Sequence, residues 1–155
     1  MTVQTTTHLN FTGQAREALE FYAAVFGGQL IAVSYRDAGA PEGTPGADDV
    51  VFGQVLTQAG FSVMAYDVPG APGAGLAGPG GSTRRENYLT ITDQPFFVSV
   101  RGETVEEVGA YWTKLAQGAQ VIEPYGPSQW APAAGMLTDR FGVTWSLDVA
   151  APYAG

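Results

Sequence analysis

The sequence contains no cysteine. Disulfide bonds, thiolate catalysis and cysteine-bound zinc are therefore excluded from the outset. Histidine occurs once, as His8, so no site that needs two imidazoles can be built from one chain. Charge is sparse as well. Only 14% of residues are charged, 7 basic against 15 acidic, and the net charge is −8. A chain this acidic has no general attraction for phosphate backbones or anionic lipid, which argues against nucleic-acid and membrane partners. No apolar run approaches the ~20 residues that a membrane-spanning helix requires. The opening MTVQTTTHLNF has neither a basic start nor an apolar signal core, and a cytoplasmic protein is expected.

What is present suits one globular domain over residues 1–155, with 45% apolar residues to fill its core. Alternation in His8-Leu9-Asn10-Phe11 predicts a strand over 5–11, with Leu9 and Phe11 inward and His8 and Asn10 on the other face. Ala15, Ala18, Leu19, Tyr22, Ala23 and Phe26 form one apolar stripe and predict a helix over 15–26, closed by Gly27-Gly28. Strands follow over 30–35, 50–56 and 61–66, the last two joined around Gln58-Ala59-Gly60. A first module thus spans about 5–66. Residues 69–82 are nearly all Gly, Ala and Pro, and a mobile loop is expected there. Its Gly73-Ala74-Gly75-Leu76-Ala77-Gly78 matches G-x-G-x-x-G literally. Flanking prolines leave no helix for a phosphate to meet, so it reads as loop rather than a nucleotide or adenosylmethionine site.

From Pro95 the order repeats, giving a second module over about 95–149. A strand is predicted over 96–101 and a helix over 105–117. Thr104 and Glu107 form a capping box, and Val105, Val108, Trp112 and Leu115 form the buried stripe. Glu106 and Glu107 serve the helix N-terminus rather than forming a catalytic pair. A strand over 119–123 and a loop over 124–132 precede a closing hairpin, 134–139 with 143–149, turned at Asp139-Arg140-Phe141-Gly142. The fold class is α+β: two βαβββ modules whose mixed sheets curve around a cleft, helices on the apolar faces and polar faces inward.

Two stretches carry a family resemblance. HLNFTGQAREALEFYAAVFGG, residues 8–28, and GMLTDRFGVTWSLDV, residues 135–149, are similar to the strand–helix and closing-hairpin motifs of the vicinal oxygen chelate superfamily. That superfamily is the glyoxalase and bleomycin-resistance fold, and within it the chain resembles the PhnB-like group, often labelled demethylubiquinone methyltransferase-like. The resemblance covers essentially the whole chain. It implies the fold and a homodimer but not a reaction, since the superfamily hosts lyases, dioxygenases and antibiotic-binding proteins.

Enzymes of the superfamily hold a divalent metal with His and Glu from inward-facing strand positions. Carried over residue by residue, these positions hold His8, then Gly53 or Gln54, then Phe97 or Ser99, then Ser146. One good donor remains, and Asp148 lies about 7 Å farther along the last strand. No metal and no cofactor are expected. The expected function is metal-free binding of an apolar or aromatic small molecule in a cleft lined by His8, Asn10, Gln54, Tyr66, Phe97, Trp130 and Ser146. The alternative is a divalent-metal lyase or dioxygenase acting on vicinal oxygens. Arg84-Arg85 is read as a solvated pair, with an anion clamp as its other use.

Overall fold

Alternation sets the first strand in the computed structural model, which describes residues 3–70 and 82–152. In β1 (Thr7–Phe11), Leu9 and Phe11 are buried while His8 and Asn10 are exposed. The chain divides into two units, Met1–Leu76 and Ala77–Gly155. The first continues with α1 (Ala15–Phe26), β2 (Gln29–Ser34), β3 (Val50–Leu56) and β4 (Ser62–Asp67). Its sheet runs β1-β4-β3-β2. β1 and β4 are parallel and the other neighbours antiparallel. Parallel neighbours need a crossover, which α1, β2 and β3 supply.

Helix α1 buries Ala15, Ala18, Leu19, Tyr22 and Val25. The expected stripe put Ala23 and Phe26 inward. Instead Val25, seven residues beyond Ala18, takes the last inward place, and Phe26 is half-buried in a stack on Phe61 with ring centroids 3.9 Å apart. Gln14 at the N-cap makes no side-chain cap bond. A strand residue does this work: Asp67 Oδ1 accepts from the amides of Gly13 (2.7 Å) and Ala15 (3.0 Å), and Oδ2 accepts from Val50 (2.9 Å). Asp67 is buried, so one carboxylate ties the helix start to the ends of two strands.

The second unit repeats the plan. After β5 (Arg84–Glu86) and β6 (Leu89–Ile91) come β7 (Val98–Gly102), α2 (Val105–Leu115), β8 (Gln120–Gly126), β9 (Ala134–Thr138) and β10 (Thr144–Val149). The sheet runs β7-β10-β9-β8, with β7 and β10 again parallel. Thr104 caps α2 through the Glu107 amide at 3.1 Å, as expected. Val108 and Leu115 are buried, but Val105 at the helix start is exposed, and Trp112 is half-buried against Tyr125. Trp112 also lies over Gly135, where an added Cβ would come within 2.8 Å of the indole. Strand β8 continues through Pro124, past its expected end. It is an edge strand with register shifts, where a missing amide is tolerated.

The β5–β6 hairpin was not foreseen. Asn87 (φ 50°) and Tyr88 (φ 67°) form its two-residue turn in the left-handed region, without the glycine that usually signals such a turn. The β9–β10 hairpin matches expectation, with Gly142 at φ 88°. At its centre Asp139 is fully buried. Its Oδ1 accepts from the amides of Phe141 (2.8 Å) and Val143 (3.0 Å), and its Oδ2 accepts from the indole Nε1–H of Trp145 (2.8 Å). The motif that carried the family resemblance is thus a structural knot: a carboxylate binds the turn and orients the largest core side chain.

Most of the glycine-rich stretch, residues 71–81, lies outside the described residues, and with it the expected mobile loop and the G-x-G-x-x-G match. Among the described residues, no helix is long and apolar enough to cross a membrane.

Candidate functional site

Strand register decides which side chains share a face. In the first unit His8 pairs with Met64, Asn10 with Tyr66, and Gln54 with Met64. His8, Asn10, Gln54 and Tyr66 therefore all project from the face opposite α1, as the alternation predicts. His8 Nδ1 lies 3.1 Å from Asn10 Oδ1, and its ring meets Tyr66 edge-on at 5.2 Å between centroids. Gln54 Nε2 donates to Ser62 Oγ at 3.4 Å, and Ser62 in turn contacts Thr6. Exposed Ile31, Phe52 and Leu56 share this face. Of the two positions matched to a family ligand on the third strand, only Gln54 is on this face. Gly53 faces the helix, where an added Cβ would stand 2.3 Å from Leu19 Cδ1.

In the second unit Ser146 pairs with Ser99 and with Met136, and Asp148 pairs with Arg101. Over this face is a pocket of about 120 Å³. Met136, Ser146 and Asp148 contribute from the sheet, and Trp130, 67% exposed, borders it from the β8–β9 loop. The unforeseen hairpin supplies Arg85 and Thr90, and β8 supplies Glu123. Trp130 and Ser146 thus line one pocket. Phe97 is half-buried just before β7 and does not line the pocket.

The charges in this pocket are paired unequally. Arg101 grips Asp148 as a fork, Nε to Oδ1 at 2.9 Å and Nη2 to Oδ2 at 2.7 Å. That bond, with the carboxylate's charge, raises the Arg101 pKa above its ordinary value. Arg85, with a side chain 26% exposed, donates from Nη1 to Thr90 Oγ1 at 2.9 Å and meets Glu123 Oε2 only at 3.4 Å. The expectation of a solvated arginine pair holds for Arg84, which is exposed and bound to Glu86. It fails for Arg85, because neighbours on a strand point to opposite faces. That alternation was the available signal, but it needed β5 to be recognised first.

A divalent metal of the family's kind needs imidazole and carboxylate donors converging from several strands. Among the described residues, no three His, Cys, Asp or Glu side chains gather in a way that could hold one. The carried-over positions present an imidazole, an amide and a hydroxyl.

Comparison with known proteins agrees with this architecture. The family model of the Glyoxalase/Bleomycin resistance protein/Dioxygenase superfamily matches residues 6–147. Protein YjdN of Escherichia coli K12 is 22% identical over 152 residues, 92% of either chain. Protein PA1353 of Pseudomonas aeruginosa superposes with a TM-score of 0.72 at 28% identity, covering 96% of this chain and 98% of its own. The PhnB protein of Bacillus cereus does so with 0.66 at 27% identity, covering 96% and 100%.

Proposed function

Because the chain belongs to the Glyoxalase/Bleomycin resistance protein/Dioxygenase superfamily, we propose that it uses this scaffold as a metal-free binding protein for a small apolar or aromatic molecule. The observation that carries the proposal is the second-unit pocket, where Trp130 and Met136 offer apolar surface beside the hydroxyl of Ser146. A concave site with a few polar anchors holds a ligand mainly by removing apolar surface from water, about 25 cal/mol per Å². His8, Asn10, Gln54 and Tyr66 form a second ligand-facing surface on the first sheet. No covalent step is required. The ligand is sequestered and released unchanged, in a cytoplasmic protein. Exposed Leu30 and Ile31 on edge strand β2 support a homodimer.

The lyase or dioxygenase alternative needs a bound metal, and the donor set above does not favour one. Melting temperature against a panel of aromatic acids, quinones and antibiotics, with metal analysis of protein purified without chelator, separates the two. A binder raises the midpoint by mass action. Stoichiometric Mn, Fe, Ni or Zn, together with stabilisation by metal alone, would overturn the proposal.

A further inference from the structure

We infer that the ligand of the second-unit pocket is an aromatic or apolar carboxylate, and that Arg85 is its anion anchor. This rests on the binding role proposed above and narrows it to one chemical class.

Among the described residues, three charged side chains line the pocket: Arg85, Glu123 and Asp148. Asp148 is neutralised, because both of its oxygens accept short hydrogen bonds from Arg101. Glu123 is half exposed, its side chain 52% accessible against 26% for Arg85. Water therefore stabilises the glutamate more than the arginine. Among the described residues Arg85 donates one hydrogen bond, from Nη1 to Thr90, and no hydrogen bond leaves its Nη2. Its contact with Glu123 is a single 3.4 Å approach, beyond the range of a charge-assisted hydrogen bond. A guanidinium carries five N–H donors in a planar fork that matches a carboxylate. The group with capacity left in this pocket is thus a cation.

The rest of the lining fits the remainder of such a molecule. Trp130 presents a ring at the pocket edge, Met136 an adaptable thioether, and Ser146 a hydroxyl. A volume of about 120 Å³ suits one substituted ring rather than a polycycle. The entering carboxylate takes the open side of the Arg85 fork and displaces the loose contact to Glu123, which turns to solvent.

The experiment compares three probes of similar size, benzoate, benzamide and benzylamine, on the whole protein. Binding is read by tryptophan fluorescence and by shift of the melting midpoint. Benzoate should bind about tenfold more tightly than benzamide, the factor that one hydrogen bond to a charged group commands. Arg85→Gln should abolish that preference, and Glu123→Gln should tighten benzoate a few-fold. Arg85→Lys keeps the charge but loses the fork, so it should retain part of the preference. Equal affinity for benzoate and benzamide, or a preference for benzylamine, overturns the carboxylate assignment but leaves the pocket as a binding site. If no probe is bound, both the assignment and the binding role fall.

Discussion

Replacing Asp139 tests the account of the closing hairpin most severely. The side chain is fully buried and receives two backbone amides and the Trp145 indole. A hydrogen bond to a charged group contributes about 1.5–3 kcal/mol, and a buried donor left without a partner costs about 1–3 kcal/mol. In Asp139→Asn, the side-chain oxygen can serve either the two amides or the indole. If it serves the amides, the new NH₂ faces the Trp145 N–H, donor against donor. The expected cost is about 2–3 kcal/mol, or roughly 5–10 °C in midpoint for a chain of this size. Asp139→Ala strands all three donors and opens a small cavity, so about 4–5 kcal/mol is expected, a large share of a typical 5–15 kcal/mol total. Trp145→Phe removes the indole donor from the other side, and the Asn/Phe double variant should recover part of the summed loss. Urea unfolding followed by near-ultraviolet circular dichroism gives these values. An Asn variant within about 0.5 kcal/mol of the parent would show that the carboxylate does not hold the turn together.

Other expectations follow from single residues. Asp67→Ala should cost about 3 kcal/mol, because it frees three amides at once, two of them buried, and hydrogen exchange should report the loosening first at the start of α1. Gly135→Ala should destabilise by about 1–3 kcal/mol through overpacking against Trp112, measurable by thermal denaturation. Asp49 has its pKa raised, first by desolvation and then by the charge of Asp67. A raised carboxyl contributes stability that is complete below its unfolded value and lost as pH rises through its folded value. Asp49→Asn should therefore stabilise the protein near pH 7, and the gain should vanish in a melting series taken below about pH 3.8. Trp130→Ala, at a site 67% exposed, should change stability by under about 0.5 kcal/mol yet lose the fluorescence response to ligand.

Much of the architecture was legible because the core writes itself in periods. Leu9 and Phe11 alternate with His8 and Asn10, and Ala15, Ala18, Leu19 and Tyr22 recur at helical spacing. The structure buries the first and third of these groups and exposes the second. The β5–β6 hairpin escaped because three-residue strands are too short to show a period, and Asn87-Tyr88 lacks the usual glycine. Asp67 and Asp139 escaped for another reason. Acidic residues are expected at the surface; the amides that meet Asp67 come from distant segments, and those that meet Asp139 lie in a turn whose burial no local pattern states. The site was half legible. Alternation placed His8 and Asn10 on an open sheet face, where Gln54 and Tyr66 also lie, and Ser146 and Trp130 line one pocket. Arg85, Thr90 and Glu123 depend on where the hairpin and β8 lie, which no local pattern states.

Gly53 and Gln54 show what this separation of faces permits. The glycine is locked by the helix packed over it, whereas the neighbouring glutamine answers to nothing in the interior. Anyone wishing to graft chelating chemistry onto this scaffold must begin at Gln54 and leave Gly53 untouched. By the same token, selectivity can drift along one side of each sheet without unsettling the scaffold that carries it.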